Sequence, residues 1–264
     1  MKKSDFTILS NKKIADRTYE MKLSAPEGTG VTNAGQFINI KIDGFFLRRP
    51  ISICDWTDGE LTIIYKTVGN GTEAMSMMPA GRTLDVLCPL GNGYDISEER
   101  GIGDRPLLVG GGAGVPPMYG LCRLLIAQGK NPVVVLGFNT AAESFYIEEF
   151  KRLGAEVIVS TVDGSLGVKG FVTDVMKTLD YSYVFSCGPL PMLRAIDDTA
   201  PAETGGQFSF EERMGCGFGA CMGCSCKTKY GNKRICKEGP VLERGEVIWE
   251  IQKSICAASR LTIR

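Results

Sequence analysis

The sequence contains no histidine among its 264 residues. A Rieske iron–sulfur centre needs two histidine ligands, and mixed cysteine–histidine zinc sites need at least one, so both kinds of site are excluded. Histidine is also the commonest general base near neutral pH. We therefore expect any proton transfer to or from an organic substrate to occur elsewhere, and we assign no catalytic residue to this chain.

Apolar runs of membrane-spanning length and blocks of basic residues are also missing. The 30 acidic and 30 basic residues cancel, so neither a membrane nor a nucleic acid is expected as a partner. The N-terminal residues lack the apolar core of a secretory signal, and we expect a cytoplasmic protein. Ten cysteines in that compartment favour a metal or redox role over disulfides.

The N-terminal part of the chain has the pattern of short strands joined by turns. Residues 37–42 alternate apolar and polar side chains, and further β-type segments follow at 50–53 and 61–65. The later part alternates strands with helices, and 264 residues suffice for two domains and an appendage. We predict a multidomain β plus α/β protein, with an antiparallel β-barrel in 1–102, a Rossmann-like parallel α/β domain in 103–205 and a metal-binding segment in 206–264.

The predicted barrel carries two stretches that could meet a ligand. Residues 49–52 are expected to present an arginine and a hydroxyl to one face of a strand, where they could bind a phosphate and a polar ring edge. An ordinary exposed arginine on a strand would have the same sequence. Thr72 is predicted to cap a short helix whose free N–H groups would suit a diphosphate, with Gly71 allowing close approach. A glycine turn before a core helix is the alternative.

A glycine-rich loop follows the first strand of the predicted α/β domain. Four of the five residues 110–114 are glycine, and a helix is predicted directly after them. This geometry presents N–H groups to a dinucleotide pyrophosphate, although such a turn can also be purely structural. The spacing differs from G-x-G-x-x-G because prolines stand at its end. The candidate residues are Gly111, Gly112, Ala113, Gly114, Val115 and Pro116.

Three further parallel strands are predicted, at 132–136, 157–160 and 183–186. An open α/β sheet binds its ligand at the carboxyl ends of its strands, so Cys187, Gly188 and Pro189 are candidates as well. Cys187 could be a buried packing residue or could lie near a nicotinamide ring. The segment 137–141 has no Arg/Lys pair for a 2′-phosphate, which favours NAD over NADP.

Cys216, Cys221 and Cys224 stand in a C-x4-C-x2-C spacing, and Cys236 follows. This is the ligand pattern of a plant-type [2Fe–2S] cluster. Cys226 competes for the fourth position, but the single residue between it and Cys224 would force two ligands from adjacent loop positions. Structural zinc is the rival for the whole site, although it usually has two C-x2-C hooks and this chain has one. The cysteines expected to be packing residues are Cys54, Cys88, Cys122 and Cys256.

These motifs occur in the order seen in ferredoxin reductase-like flavoproteins. The stretches that carry the resemblance are 49–52, 71–72, 110–116, 187–189 and the cysteine stretch 214–226. With its C-terminal cluster, the chain closely resembles the family of electron transfer subunits of type B dihydroorotate dehydrogenases over nearly its full length. The cysteine stretch is the most specific part of the resemblance.

The resemblance implies a barrel that holds FAD, an α/β domain that binds NAD, and a cluster that faces a separate FMN-containing catalytic subunit in a heterotetramer of two of each. Electrons would pass from dihydroorotate through FMN, the [2Fe–2S] cluster and FAD to NAD+. The substrate would be oxidised in the partner, which fits the missing histidine. Tyr65 could stack on the flavin or fill the barrel wall. The residues that would hold FAD are Arg49, Pro50, Ile51, Ser52, Ile64, Tyr65, Lys66, Gly71 and Thr72.

Two alternatives remain. Flavin and [2Fe–2S] subunits of NADH-dependent ferredoxin:NADP oxidoreductases and of sulfide dehydrogenases share this layout. Some of them replace one cysteine ligand by aspartate, so the four cysteines here favour the dihydroorotate assignment. A zinc-stabilised interaction module is a hypothesis of another class, and it predicts a colourless protein with no bound flavin.

Overall fold

In the computed structural model, which describes residues 1–249, the N-terminal part of the chain forms a closed antiparallel barrel. Its strands are β1 (Lys2–Ala15), β2 (Thr18–Ser24), β3 (Phe37–Ile40), β4 (Arg49–Trp56), β5 (Glu60–Lys66) and β6 (Thr83–Leu90), and α1 (Asn70–Ser76) connects the last two. They pair in the order β1-β2-β5-β4-β3-β6, which confirms the predicted barrel. Cys256, predicted to be a packing residue, lies outside the described residues.

Alternating side chains fill the inside of the barrel. Ile38 and Ile40 on β3 and Leu61 and Ile63 on β5 all belong to its buried core. Successive side chains of a strand point to opposite faces, so this core has the period of two from which the strands were predicted. Asn39, between two of these inward-facing residues, lies on the outer side of β3 and is also buried.

The second unit is a seven-stranded sheet flanked by helices. Its elements begin with β7 (Leu107–Gly111), α2 (Val115–Ala127), β8 (Val133–Phe138), α3 (Ile147–Leu153), β9 (Glu156–Thr161), β10 (Val168–Lys169), α4 (Val172–Met176), β11 (Tyr183–Cys187), α5 (Leu190–Thr199) and β12 (Gly205–Ser209). Strands β7 to β12 all pair in parallel, as predicted. The expected domain boundary at 205/206 falls at the start of β12. No helix among the described residues is long and apolar enough to cross a membrane.

The C-terminal segment is attached to the edge of this sheet. A hairpin of β13 (Ser225–Thr228) and β14 (Gly231–Arg234) precedes β15 (Val241–Glu243), which pairs antiparallel with β12. Asn92, just after the barrel, donates to the carbonyls of Glu238 (3.0 Å) and Val241 (2.8 Å). The segment therefore contacts both the sheet and the barrel.

Helix α2 packs against barrel strand β4 and joins the two units. A Cβ added at Gly120 would lie 2.8 Å from the carbonyl oxygen of Cys54, so a larger residue would push the helix away from the strand. Further along α2, Arg123 pairs with Asp55 at 2.9 Å and stacks 5.0 Å from the centroid of Trp56. The helix is thus held by close packing, by charge and by a cation–π contact.

The segment after β8 makes a second contact with the barrel. Lys66 Nζ, at the end of β5, lies 2.7 Å from Glu143 Oε2, and the Tyr146 hydroxyl donates to Glu20 Oε2 at 2.7 Å. Hydrogen bonding from Lys66 holds the pKa of Glu143 below its ordinary value. Charges from both units therefore meet at this junction.

Arg244, which directly follows β15, fastens the C-terminal segment to the end of α5. Its side chain is only 12% exposed. The guanidinium donates to the Asp197 carboxylate and to the carbonyls of Asp197, Ala200, Pro201 and Thr204. The last carbonyls of a helix have no partner within the helix, so Arg244 satisfies groups that would otherwise be left unpaired.

We expect Arg244→Ala to lower the free energy of unfolding by roughly 3 kcal/mol, because several carbonyls and one carboxylate lose their donor. Urea unfolding of the purified protein measures the change. The control is Arg152→Ala: Arg152 is 71% exposed and its pair with Glu149 lies on the surface of α3. That change should cost at most about 0.5 kcal/mol, and equal losses in the two variants would contradict the capping role.

The Lys66–Glu143 pair should contribute about 1 kcal/mol of coupling to the free energy of unfolding in a double-mutant cycle of Lys66→Gln and Glu143→Gln. Because the folded-state pKa of Glu143 is depressed, this coupling is present above the unfolded carboxyl pKa of about 4.3 and is lost as pH falls through the folded value. Urea unfolding over a descending pH series tests this. A coupling that persists unchanged in acid would rule out the charge pair as its source.

Candidate cofactor cleft and cluster loop

The carboxyl ends of β7 and β11 meet where the strand order of the sheet reverses, which is the usual ligand site of an open α/β sheet. A Cβ added at Gly114 would overlap the carbonyl group of Cys187, so the glycine loop and the end of β11 are in direct main-chain contact. The structure thus brings together the two stretches, 111–116 and 187–189, that are the sequence candidates for the NAD site.

The first turn of α2 supplies fewer N–H donors than the sequence argument assumed. Pro116 and Pro117 occupy the beginning of the helix and have no N–H. Gly112 has a positive φ of 52°, and no atom of the described residues lies within 4 Å of a Cβ added there. Its main chain therefore borders open space, and donors for a pyrophosphate must come from the loop itself.

A cleft lies between the barrel and the α/β domain. Its lining residues are Thr18, Ile64, Tyr65, Lys66, Gly112, Ala113, Glu143 and Phe145. The barrel stretch assigned to FAD by resemblance therefore faces the glycine loop assigned to NAD. Hydride transfer requires the two reacting rings to be in contact, and the two candidate sites adjoin at this cleft.

The side chain of Tyr65 fills the barrel wall. It is 2% exposed, its hydroxyl donates to Asn11 Oδ1 at 2.9 Å, and its ring stacks on Tyr19 at 5.8 Å with an interplanar angle of 17°. Burial raises the pKa of Tyr65 well above its ordinary value. Of the two alternatives for its side chain, the structure favours barrel packing over flavin stacking, so at the cleft Tyr65 can contribute through its main chain.

Arg49 and Gly71, both candidates for FAD, lie against each other. A Cβ on Gly71 would overlap the Arg49 guanidinium, which stacks 4.7 Å from the centroid of the Phe45 ring. The expectation that Arg49 and Ser52 share a face is wrong. They are three positions apart on a regularly paired part of β4, and side chains of a strand alternate between faces.

The predicted capping role of Thr72 is also wrong. Helix α1 begins at Asn70, so Thr72 is its third residue. Its hydroxyl oxygen accepts from the N–H of Val68 (3.0 Å) and of Gly69 (3.3 Å), the residues that lead into the helix. Thr72 therefore fixes the entry of the chain into α1 from inside the first turn. Its N–H and that of Gly71 remain candidates for a diphosphate.

Three lining residues of the cleft, Thr18, Glu143 and Phe145, were missed by sequence reasoning, and Glu143 is the charged one. Besides its pair with Lys66, its carboxylate accepts from Asn139 Nδ2 at 3.1 Å. Both residues follow β8, at the carboxyl edge where ligand-binding loops are expected. Their position after that strand was the only available signal, because the partner Lys66 lies far away in the sequence.

The four predicted ligand cysteines fall into two pairs. The Cys216 sulfur accepts from the N–H of Cys221 at 3.5 Å, and the Cys224 sulfur accepts from the N–H of Cys236 at 3.4 Å. A [2Fe–2S] cluster needs two thiolates on each of two irons, and the two pairs fit that requirement.

The two pairs differ in their surroundings. Cys224 and Cys236 are buried, whereas Cys216 is partly exposed and Cys221 is exposed. Burial opposes ionisation of Cys216, but hydrogen bonds from loop N–H groups and from Cys221 outweigh it and lower the Cys216 pKa to about 6. Burial, with Cys224 next to it, raises the pKa of Cys236 to about 12. The loop thus already favours a thiolate at its exposed pair.

Cys226, the competitor for the fourth position, is buried on β13. Its thiol lies 3.6 Å from the carbonyl of Lys227, whereas Cys236 is directly beside Cys224. Among residues 1–249, no group of three or more potential ligand side chains is close enough to hold a single metal ion. The arrangement in pairs fits two irons better than one zinc ion.

Comparisons with known proteins agree with this geometry. Residues 211–248 match the family model of the iron–sulfur cluster binding domain of dihydroorotate dehydrogenase B. The chain is 45% identical over 257 residues to the dihydroorotate dehydrogenase B (NAD+) electron transfer subunit of Bacillus pumilus, which spans 94% of this chain and 98% of the relative. It is 44% identical over 263 residues to the protein of the same name from Fusobacterium nucleatum, spanning 94% and 99%.

Solved structures place the fold among flavin-dependent reductases. A NADH-dependent reduced ferredoxin–NADP oxidoreductase superposes with a TM-score of 0.87 and 28% identity over 96% of this chain and 93% of that one. An Amycolatopsis cytochrome P450 reductase, with a TM-score of 0.65 and 24% identity over 73% and 64%, shares the fold alone. The resemblance inferred from the motifs is confirmed: the chain belongs to the family of electron transfer subunits of dihydroorotate dehydrogenase B.

Proposed function

We propose that this chain passes electrons from the FMN of a dihydroorotate dehydrogenase catalytic subunit to NAD+, through a [2Fe–2S] cluster and FAD held by the chain itself. The observation that carries the proposal is that one chain contains both parts of such a relay. Four cysteines in two pairs lie on a loop against the barrel. The same barrel also lines a cleft that it shares with the glycine loop of the α/β unit.

The chain's own residues bind and orient the cofactors. Arg49 and the main chain of residues 71–72 hold FAD, and residues 64–66 line the place of its ring. The glycine loop 111–116 and residues 187–189 hold the nicotinamide nucleotide. FAD, when bound, supplies the conversion between one-electron transfer and hydride transfer. The cleft between the two stretches brings the two rings together and limits access of water to them.

No residue of this chain is assigned as an acid or base. Burial raises the pKa of Cys187, at the end of β11, to about 12. The thiol therefore stays protonated at neutral pH and is neither a base nor a nucleophile. Its place beside the glycine loop suits packing against a nicotinamide ring. Dihydroorotate oxidation, with its proton transfer, is left to the partner.

The loop after β8 favours NAD over NADP. Residues 139–146 contain no Lys or Arg, and they include the carboxylate of Glu143. A 2′-phosphate would therefore find no cation within this segment. We further infer a heterotetramer of two chains of each kind in the cytoplasm, where cysteine ligands stay reduced.

A second candidate function is that of a flavin and [2Fe–2S] subunit of a NADH-dependent ferredoxin:NADP oxidoreductase. The superposition with such an enzyme over 96% of the chain favours it. Sulfide dehydrogenases belong to the same alternative. The two candidates differ in the partner subunit: the first requires FMN on the partner and dihydroorotate as electron donor.

The test is to co-purify the chain with its partner subunit and to assay the complex. We expect flavin bands and iron–sulfur absorbance, FAD and FMN in equal amounts, and NAD+ reduction that depends on dihydroorotate. A partner without FMN, or a complex inactive with dihydroorotate, would refute the proposal in favour of the second candidate. A colourless chain would refute both and support a zinc-stabilised module.

Cys221→Ser should reduce dihydroorotate-dependent NAD+ reduction by at least about a hundredfold, because a serine hydroxyl is a poor replacement for a thiolate on iron. NADH should still bleach the FAD of this variant at close to the wild-type rate. Steady-state assays measure the first activity and anaerobic stopped-flow absorbance the second. Loss of both in a folded, FAD-loaded variant would show that the relay order is wrong.

Two further variants separate the rivals for the fourth ligand. Cys236→Ser should lose the cluster, while Cys226→Ser should keep its iron content and most of its activity. Both cysteines are buried, at 2% and 1% exposure, so the substitutions carry similar packing costs. The reverse result would assign Cys226 as the ligand.

A further inference from the structure

A buried amide lies between the barrel and the cluster loop, which is the stretch 214–226 that carries Cys216, Cys221 and Cys224. Asn39, on the outer side of β3, is 1% exposed, and its Nδ2 donates to the carbonyl of Cys216 at 3.4 Å. A Cβ added at Gly217 would overlap this amide, and Gly217 has a φ of 79°, which residues with a side chain rarely adopt. The main chain of the loop therefore lies directly on the Asn39 side chain.

Stability alone does not account for an amide at this position. No donor among the described residues pairs with Asn39 Oδ1, although the atom is buried. A buried acceptor without a partner lowers the stability of the folded protein, and the single bond made by Nδ2 is long. A leucine of similar size would avoid this cost. We therefore attribute the amide to its contact with the Cys216 carbonyl.

The same residue is tied to the strand assigned to the flavin. Asn39 is the cross-strand partner of Pro50, and its neighbour Ile40 is the partner of Arg49. Arg48, directly before that strand, donates from its guanidinium to the Asn39 carbonyl at 3.3 Å. Asn39 thus contacts the cluster loop through its side chain and the flavin strand through its main chain.

The opposite side of the cluster loop is held from within the C-terminal segment. Arg234, on β14, donates to the carbonyl of Gly219 at 2.7 Å and pairs with Glu238, whose pKa this pairing lowers to about 2. That contact fixes the loop to its own hairpin. The Asn39 contact is different because it fixes the loop to the barrel.

We propose that Asn39 is a positioning residue for electron transfer: its amide holds the Cys216 main chain against the flavin-binding strands and thereby sets the separation of cluster and flavin. The proposal rests on the proposed function in that it takes the cluster and FAD to exchange electrons within this chain. The proposal thereby assigns a role to β3, a strand that has no ligand cysteine and no residue of the cofactor motifs.

The experiment compares Asn39→Leu with wild type in the complex of full-length chain and partner, each loaded with FAD and iron. With NADH as the two-electron donor, bleaching of FAD should be unchanged within about twofold. Reduction of the cluster, followed by freeze-quench EPR, should be slowed by about tenfold or more. The g values of the dithionite-reduced cluster should also shift, which a distant structural change would not cause.

Two variants keep the test decisive. Asn39→Ala removes the amide without adding bulk, and it should change the g values even where the leucine variant fails to fold. Asn92→Leu removes another link between barrel and C-terminal segment without touching the cluster loop, and it should leave the g values and the cluster reduction rate as in wild type.

Wild-type g values and cluster reduction within about twofold in the Asn39 variants would overturn the proposal, as would equal changes in Asn92→Leu. Failure of the proposed function would show separately, since it is read from wild-type NAD+ reduction by dihydroorotate. The comparison of the Asn39 variants uses only NADH and dithionite.

Discussion

The packing of α2 on β4 is the contact on which the rest of the relay depends. Each cofactor stretch belongs to one domain, so electrons can pass only if the domains keep a fixed separation. Gly120 lets the helix approach the carbonyl of Cys54 closely, and the thiols of Cys54 and Cys122 at this junction are fully buried. Burial raises the pKa of both thiols, so these cysteines are packing groups and not redox groups.

Local patterns were enough to predict the fold and the iron–sulfur binding segment. Strand β3 was recognised because alternate residues face the barrel core. The glycine loop at 110–114 was recognised because a strand, a tight loop and a helix follow each other directly along the chain. The cysteine spacing is local as well. In each case the residues that cause the structure are neighbours in sequence, so the pattern is visible without knowledge of the fold.

What sequence reasoning missed or left open depends on residues that are distant along the chain. For Tyr65 it left flavin stacking and barrel packing open, and the choice depends on contacts with Asn11 and Tyr19 on other strands. Glu143 belongs to the cleft because the barrel places Lys66 opposite it. Thr72 was misassigned for a different reason: its hydroxyl bonds the chain before the helix, and one position decides between a cap and a first-turn residue. Register and partner choice are tertiary properties, and composition does not encode them.

The cluster loop depends both on a local pattern, the spacing of its cysteines, and on a tertiary contact with the barrel. Within the exposed pair, the main chain of Cys216 meets the barrel through Asn39, whereas Cys221 is exposed. Phe218 and Met222 on either side of Cys221 are 42% and 53% exposed, so apolar groups surround the outward-facing thiol. The loop therefore has one ligand candidate, Cys216, fastened to the barrel and another, Cys221, at the surface among exposed apolar side chains.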